Sequence, residues 1–299
     1  MDNKFTNAID LFNAISRDQR DFPHFVFRGQ GCSKYDLEPG ITRNLDYVAQ
    51  FHRYNNWLSP GFNYRNFEYE ILRNFIKGCD KTGIPIPSDG DGLRRVFKLV
   101  DNSDSVPFCV GFNDDDLEGI NAPLEWPDFN SYSIMIMAQH HGVPTRLLDW
   151  TGSILTAMYF ASVDGMKRLI KLKDEDVEGE EISIWGLNAK FLNDNRSLYG
   201  FALIKPPTSL SVNISPQEGC FTTRLGSGDN RVDYILNKHP ESNRCLRQYP
   251  LNIKESISMY SICKKNGYTG AMLFPGLDGA AKEANESLLL RSLKKRFNV

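Results

Sequence analysis

The sequence predicts an α+β fold, because segments of helical and of strand periodicity follow one another along its 299 residues. Residues 25–30 join aromatic and β-branched side chains to an Arg-Gly pair, which is typical of a buried strand that ends in a turn. Residues 182–187 alternate as a strand does. Residues 67–77 place apolar side chains on one helical face, and Glu68 and Glu70 are expected on a solvated face of that helix.

Further helices are predicted by apolar spacing and by capping residues. Residues 5–20 predict a helix with Thr6 or Asn7 as its cap. Residues 131–139 predict a second, and residues 151–153 form a capping sequence for the helix that follows them. Additional helices are predicted over residues 93–100, over residues 256–265 and in the charged C-terminal segment.

The remaining strands are expected to be short. They are predicted over residues 145–150, 249–253 and 271–275. Residues 214–223 are interpreted as a loop that enters a strand. Residues 80–130 form the least regular region, because Gly, Asp, Asn and Pro recur there. The aspartates at positions 114–116 lack the spacing of an EF-hand loop, so a solvated loop is predicted instead of a calcium site.

Composition narrows the classes of function. A net charge of -2 argues against a broad electrostatic surface for nucleic acid, although it leaves room for a local basic groove. The six cysteines are scattered without a CxxC pair, which favours free thiols over disulfides or a zinc site. The first residues lack the profile of a signal peptide, and no apolar run approaches about twenty residues. A cytoplasmic protein without a membrane span is therefore expected.

Polar side chains are unusually dense over residues 138–151, between two apolar runs. His140 and His141 are adjacent there, and Arg146 and Asp149 are expected to form a structural ion pair. Buried polar groups are costly unless they are partnered. Two interpretations remain open: a functional site, or a loop whose polar groups satisfy one another.

Four blocks, taken together, resemble the FRG-domain family, which is named for the Phe-Arg-Gly found here at positions 27–29. The first block runs through residues 28–43, and the central block, the most specific, covers residues 139–161. The third covers residues 216–221 and the last covers residues 273–279. The blocks follow the family order and cover most of the chain.

The resemblance implies an ADP-ribosyltransferase-like fold, with a split, mixed β-sheet that clasps NAD and with helical insertions. It implies one FRG-type domain over residues 1–299, with an irregular insertion at about residues 80–130. NAD would be a co-substrate, and no metal would be needed. The implied activity is transfer of ADP-ribose to a macromolecular acceptor, either protein or nucleic acid (RNA or DNA). Such a transferase fits a bacterial toxin or phage-defence effector that an antitoxin partner restrains.

The resemblance also implies a set of site residues. Arg28 anchors NAD, and Gly29 lets the backbone approach the nicotinamide side. Thr151 and Tyr159 shape the nicotinamide pocket, and Gln217 or Glu218 engages the ribose on a third strand. The residues assigned to NAD binding are Phe27, Arg28, Gly29, Gln30, His140, Trp150 and Tyr159, and those assigned to catalysis are Arg28, His141, Thr151, Gln217 and Glu218.

Several of these residues keep a second interpretation. Arg28 also suits a structural ion pair at a strand end. Trp150 and Tyr159 also suit the core, while Thr151 also suits a helix cap. At most one of the two adjacent histidines can face a ligand, either as a general base or as a residue that orients a polar network. For the whole protein, the alternatives to a transferase are a non-catalytic nucleotide- or partner-binding module and an NAD hydrolase.

Overall fold

The computed structural model describes residues 5–43, 64–99, 126–207, 213–226, 230–238 and 242–299. The chain divides into two compact units. Unit 1 comprises Met1–Leu37, Asp149–Thr222 and Val232–Val299, and unit 2 comprises Glu38–Leu148 and Thr223–Arg231. Residues 100–125 of the predicted insertion lie outside the described residues, and the single domain remains a prediction.

Unit 1 is built on one six-stranded sheet with the strand order β4-β5-β2-β1-β3-β6. The strands are β1 (Phe25–Gln30), β2 (Leu148–Thr151), β3 (Glu181–Asn188), β4 (Phe201–Ile204), β5 (Gly219–Arg224) and β6 (Leu246–Asn252). The β1–β2, β1–β3 and β3–β6 pairs are all antiparallel. The α+β class is therefore confirmed, and the split, mixed sheet implied by the family resemblance stays a prediction.

The helices of unit 1 surround this sheet. They are α1 (Ala8–Asp21), α6 (Ile154–Leu169), α7 (Ala189–Asp194), α8 (Arg196–Tyr199), α9 (Ile214–Gln217), α10 (Val232–Leu236), α11 (Ser242–Cys245), α12 (Ser256–Lys265), α13 (Gly270–Leu273) and α14 (Leu277–Phe297). Short 3-10 turns occupy Asp174–Asp176 and Ile253–Glu255. Helix α1 begins at its predicted cap, because the Asn7 side chain accepts the N–H groups of Ile9 and Asp10. Helix α6 begins after Ser153, whose hydroxyl accepts the N–H of Thr156 at 3.2 Å.

The core of unit 1 lies between the sheet and helix α6. Phe27 from β1, Ile184 from β3 and Ala157 from α6 belong to one buried cluster. Leu11 of α1 and Tyr260 of α12 join the same cluster. Burial of this apolar surface is the main favourable contribution to the free energy of folding of the unit.

Unit 2 contains helices α2 (Gly40–Arg43), α3 (Tyr64–Thr82), α4 (Asp91–Val96) and α5 (Tyr132–His140), with a 3-10 turn at Phe129–Ser131. The Tyr69 ring stacks on Phe97 at 5.3 Å between centroids, and Trp126 meets both rings edge-on. Arg94 donates to Asp80 at 2.8 Å and to Asp89 at 2.6 Å, and its guanidinium lowers the pKa of Asp89. None of the described helices of the chain combines the length and apolar character needed to cross a bilayer.

Two short strand predictions are corrected by the structure. Residues 271–275 form no strand; instead α13 closes one helical turn, because Leu273 N–H donates to Thr269 O at 3.0 Å. Leu273 is thereby buried while Met272 stays exposed. Strand β2 begins only at Leu148, because the Thr145 hydroxyl accepts the N–H of Leu147 at 3.2 Å, a local bond that competes with strand pairing.

The prediction that Glu68 and Glu70 face solvent is wrong. Glu68 is fully buried and Glu70 is 8% exposed. Burial raises the pKa of Glu70, and the charges of Arg73 and Lys77 act in the opposite direction. Helix α3 therefore presents carboxylates as well as apolar side chains to the interior of unit 2.

Candidate functional site

Three segments that are distant in sequence meet on neighbouring strands of the unit 1 sheet. The order β5-β2-β1 places β2 between the other two strands. Phe27 on β1 is the register partner of Thr151 on β2. The structure therefore brings the predicted residues near positions 28, 151 and 217 into one region of one sheet.

Phe27 and Gly29 face helix α6. Phe27 is fully buried. A Cβ atom added at Gly29 would lie 1.9 Å from Ala157 O and 2.6 Å from Ala161 N, both of them backbone atoms of α6. Gly29 is thus required for the close approach of helix and strand. The structure thus gives Gly29 a packing role, and the approach of its backbone to NAD stays a prediction.

Arg28 points to the other face of the sheet, because successive side chains of a strand alternate. Its Nη1 donates to Asp149 O at 2.8 Å and lies 3.6 Å from the Asp149 carboxylate. The Arg28 side chain is 16% exposed, and that of Asp149 is 54% exposed. The predicted pair of Arg146 and Asp149 is wrong, since Arg146 pairs with Glu68.

Gln30 and Trp150 are held by protein groups. The Gln30 amide donates to Asp36 O at 3.2 Å and accepts the indole N–H of Trp185 at 2.8 Å. The indole N–H of Trp150 donates to the Thr222 hydroxyl at 3.0 Å. Both Gln30 and Trp150 are buried. These hydrogen bonds hold both side chains within the protein. Trp150 therefore lies in the core, as its second interpretation states.

Thr151 and Gly152 connect the end of β2 to the segment before β5. The Thr151 hydroxyl donates to Gln217 O at 2.6 Å and accepts the N–H of Ser153 at 3.0 Å. The Gly152 N–H donates to Glu218 O at 3.0 Å. Thr151 is therefore two residues too early to cap α6, a role that Ser153 takes.

Gln217 and Glu218 precede strand β5 and do not lie on it, contrary to the expectation. Gln217 ends α9, and Glu218 has a left-handed backbone with φ of 47°. The Gln217 amide donates to Leu273 O at 2.9 Å. The exposed Glu218 carboxylate lies beside Gly152, with Oε2 3.0 Å from the position of an added Cβ. No described residue forms a hydrogen bond or ion pair with that carboxylate, so it is available to a ligand.

Tyr159 lies in the core of unit 1, 2% exposed. Its hydroxyl donates to one oxygen of the buried Glu286, and Tyr260 donates to the other at 2.9 Å. Burial and the Glu286 carboxylate both raise the pKa of Tyr159. The Tyr159 ring therefore packs among core residues, as its second interpretation states. The structure does not place it where it could line a nicotinamide pocket. Glu286 itself carried no sequence signal, because it lies in a charged helix.

His140 and His141 belong to unit 2, where His140 ends helix α5 and His141 is its C-cap. Both residues are exposed. The N–H of His141 donates to Ala138 O at 3.0 Å. A role for either imidazole in binding or catalysis stays a prediction.

A buried ion pair occupies the centre of the polar segment in unit 2. Glu68 accepts the backbone N–H of Arg146 at 2.6 Å and also its side-chain Nε–H. Trp126 donates to the same carboxylate at 2.9 Å, and Arg146 Nη1 donates to Gly226 O at 2.8 Å. Part of the polar density of residues 138–151 therefore serves a satisfied internal network, which agrees with the structural interpretation.

The described part of the chain offers little for metal or thiol chemistry. No group of three or more His, Cys, Asp or Glu side chains suited to a metal ion occurs among the described residues. Five described cysteines are buried and free of disulfides: Cys32, Cys79, Cys220, Cys245 and Cys263. Burial raises the pKa of the Cys220 thiol to about 12, so it stays protonated at neutral pH.

Comparison with known proteins supports the family resemblance. The model of the FRG domain matches residues 117–168, which contain the whole central block and all of helix α6 except its last residue. The Phe-Arg-Gly at positions 27–29 lies outside the matched span. No curated protein and no solved structure matches the chain.

Proposed function

We propose that this protein transfers ADP-ribose from NAD to a macromolecular acceptor at the ends of strands β1, β2 and β5. The observation that carries the proposal is the meeting of three motif blocks there. Arg28 donates to Asp149 O at 2.8 Å, and Gly152 N–H donates to Glu218 O at 3.0 Å. A cationic anchor and an exposed carboxylate thus lie beside the two ends of the segment Asp149–Gly152.

Arg28 is suited to the diphosphate of NAD. A guanidinium recognises phosphate oxygens through two parallel hydrogen bonds. The partly exposed side chain is held by its hydrogen bond to the Asp149 carbonyl. This lowers the entropic cost of ordering the side chain when NAD binds. Asp149 acts here as a positioning residue.

Glu218 is suited to the reacting ribose. In the transfer, the bond between ribose C1′ and the nicotinamide nitrogen breaks, and nicotinamide leaves as a neutral molecule. The acceptor nucleophile bonds to C1′ and loses its proton. The positive charge that develops on the ribose is stabilised by a nearby carboxylate. The amide of Gln217 has no such charge, and its nitrogen already donates to Leu273 O.

One observation favours the alternative of a non-catalytic nucleotide-binding module. The Thr151 hydroxyl and the Gln217 amide both donate to backbone carbonyls. Two of the residues assigned to catalysis by the resemblance are therefore engaged in structural bonds. A binding module needs a phosphate anchor such as the Arg28 cation and no charged group at the ribose.

Incubation with NAD labelled in its adenosine moiety separates the alternatives. The protein is tested alone, with a cytosolic protein extract and with total RNA or DNA. Label on a macromolecule supports the transferase, and free labelled ADP-ribose supports the hydrolase. Unchanged NAD together with saturable NAD binding supports the module.

Substitution of Glu218 tests the site itself. Glu218→Gln should lower the rate of transfer by about 10²-fold or more, because it removes the charge that faces the transition state. Glu178→Gln is the matched control, since it removes the same charge from an exposed residue elsewhere in unit 1. Equal activity of the two folded variants would overturn the assignment.

The family resemblance extends the proposal to a toxin or defence role in the cytoplasm, restrained by an antitoxin. Induced expression of the wild-type chain in a bacterial host should then arrest growth. Arg28→Ala should relieve the arrest while the protein still accumulates. Normal growth with the wild-type chain would contradict this role, whatever the outcome of the NAD assays.

A further inference from the structure

A groove of about 500 Å³ runs along the exposed side of helix α1 in unit 1. It is lined by Phe12, Asn13, Ser16, Arg17, Gln19 and Arg20. These positions share one face of the helix, next to the face that buries Leu11 and Ile15. The volume falls within the range of about 300–1,000 Å³ that small-molecule sites occupy. This surface is called the α1 groove.

Two arginines give the α1 groove its charge. Arg17 and Arg20 are exposed, and neither has an ion-pair partner among the described residues. The neighbouring Asp18 is engaged by Arg247 at 2.8 Å and by the Tyr249 hydroxyl. The two guanidiniums are the charged groups that line the groove itself, on a protein whose net charge is only -2.

One hydrogen bond connects the α1 groove to the segment that carries the proposed NAD site. Gln19, which lines it, donates to Gly152 O at 3.5 Å. The N–H of the same Gly152 donates to Glu218 O at 3.0 Å. Gly152 thus connects Gln19 of the groove to the backbone of Glu218, whose carboxylate is assigned to the reacting ribose.

The side chains of the α1 groove match one kind of ligand. Guanidiniums bind phosphates, while hydroxyl and amide groups such as those of Ser16, Asn13 and Gln19 add neutral hydrogen bonds to phosphate and sugar. The partly buried Phe12 offers an aromatic surface for a base. Cationic and aromatic groups along one groove are the combination that binds single-stranded nucleic acid.

We propose that the α1 groove binds the phosphodiester backbone of a single-stranded nucleic acid and presents it to Glu218 as the acceptor. This inference rests on the proposed transferase function and names the class of its acceptor. The predicted absence of a broad nucleic-acid surface is compatible with it, because two cations on one helix make only a local contact.

Binding is measured without NAD, so that the test is independent of catalysis. A fluorescein-labelled single-stranded oligonucleotide of about 12 nucleotides, as RNA and as DNA, is titrated with protein, and fluorescence anisotropy is followed at several salt concentrations. The double variant Arg17→Gln/Arg20→Gln is compared with Arg291→Gln/Lys295→Gln. The control pair removes the same charge from exposed positions on α14.

Loss of two phosphate contacts predicts the size of the effect. The slope of log K against log[salt] should fall in magnitude by about 1.4 in the α1 variant, which corresponds to about 25-fold weaker binding at 0.1 M salt. The control should keep the wild-type slope. Far-ultraviolet circular dichroism should show both variants folded, since all four positions are exposed.

Three outcomes overturn the inference: no oligonucleotide binding by the wild-type protein, an equal loss in both variants, or tighter binding of polyglutamate than of the oligonucleotide. Arginine-dependent binding without any NAD consumption keeps the groove and refutes the transferase. NAD-dependent labelling of protein without oligonucleotide binding supports the transferase and refutes the role of the α1 groove.

Discussion

The substitution Gly29→Ala tests whether the glycine of the Phe-Arg-Gly motif serves packing or NAD. The added Cβ would lie 1.9 Å from Ala157 O, and ordinary contacts begin near 3.4 Å. Helix α6 would have to withdraw by about 1.5 Å from a strand that it packs against throughout. Overpacking of this kind costs about 3 kcal/mol, and the stiffer unfolded chain offsets about 0.5–1 kcal/mol. The expected net loss in the free energy of unfolding is about 2–2.5 kcal/mol.

Urea and thermal unfolding measure this loss, and the midpoint temperature should fall by about 4–6 °C. The matched control is Gly78→Ala in helix α3, where an added Cβ meets nothing within 4 Å. That variant should gain about 0.5–1 kcal/mol from helix propensity. Wild-type stability of Gly29→Ala, combined with weaker NAD binding, would refute the packing argument and restore the role implied by the family resemblance.

Other predictions concern the buried polar groups. Glu68→Ala should cost about 3–5 kcal/mol in urea unfolding, because it leaves Arg146 buried without a carboxylate; a loss below about 1 kcal/mol would contradict the network. Tyr159→Phe should cost about 1.5–3 kcal/mol by removing a bond to the Glu286 carboxylate, with turnover per folded molecule unchanged. Lost turnover at unchanged stability would instead place the ring at the nicotinamide. Cys220, with a pKa of about 12, should resist iodoacetamide at pH 8 until the protein unfolds, as peptide mass spectrometry will show; equal native and unfolded rates would exclude its burial.

The longer elements were predictable from local sequence. Strand β1 occupies the predicted residues 25–30, and α1 begins at the predicted Asn7 cap. Periodicity and capping depend on neighbours within a few residues, which the sequence displays directly. Short apolar runs carry less information. Residues 271–275 suit either a strand or one helical turn, and the need to bury Leu273 while closing a backbone turn decided between them.

The burial and the ion-pair partners of single residues were harder to predict than the helix or strand that carries them. Glu68 lies on a helix whose apolar pattern was read correctly, yet its carboxylate is buried. Its partner, Arg146, is 78 positions away. Asp149 likewise pairs with Arg28, 121 positions earlier, and not with the expected Arg146. Ion pairs of this kind depend on which strands and helices become neighbours, and a single sequence does not encode that pairing locally.

The sequence by itself determined the α+β class, the longer helices, most strands, and the motif blocks at positions 28, 151 and 217. Its signals are local spacing and residue chemistry. Tertiary structure alone decided what those residues do in the fold. It assigned Gly29 to the approach of α6, Tyr159 to a buried carboxylate, and the exposed charge beside Gly152 to Glu218. The physical reason is that steric contact and burial arise between segments that meet only when the chain has folded.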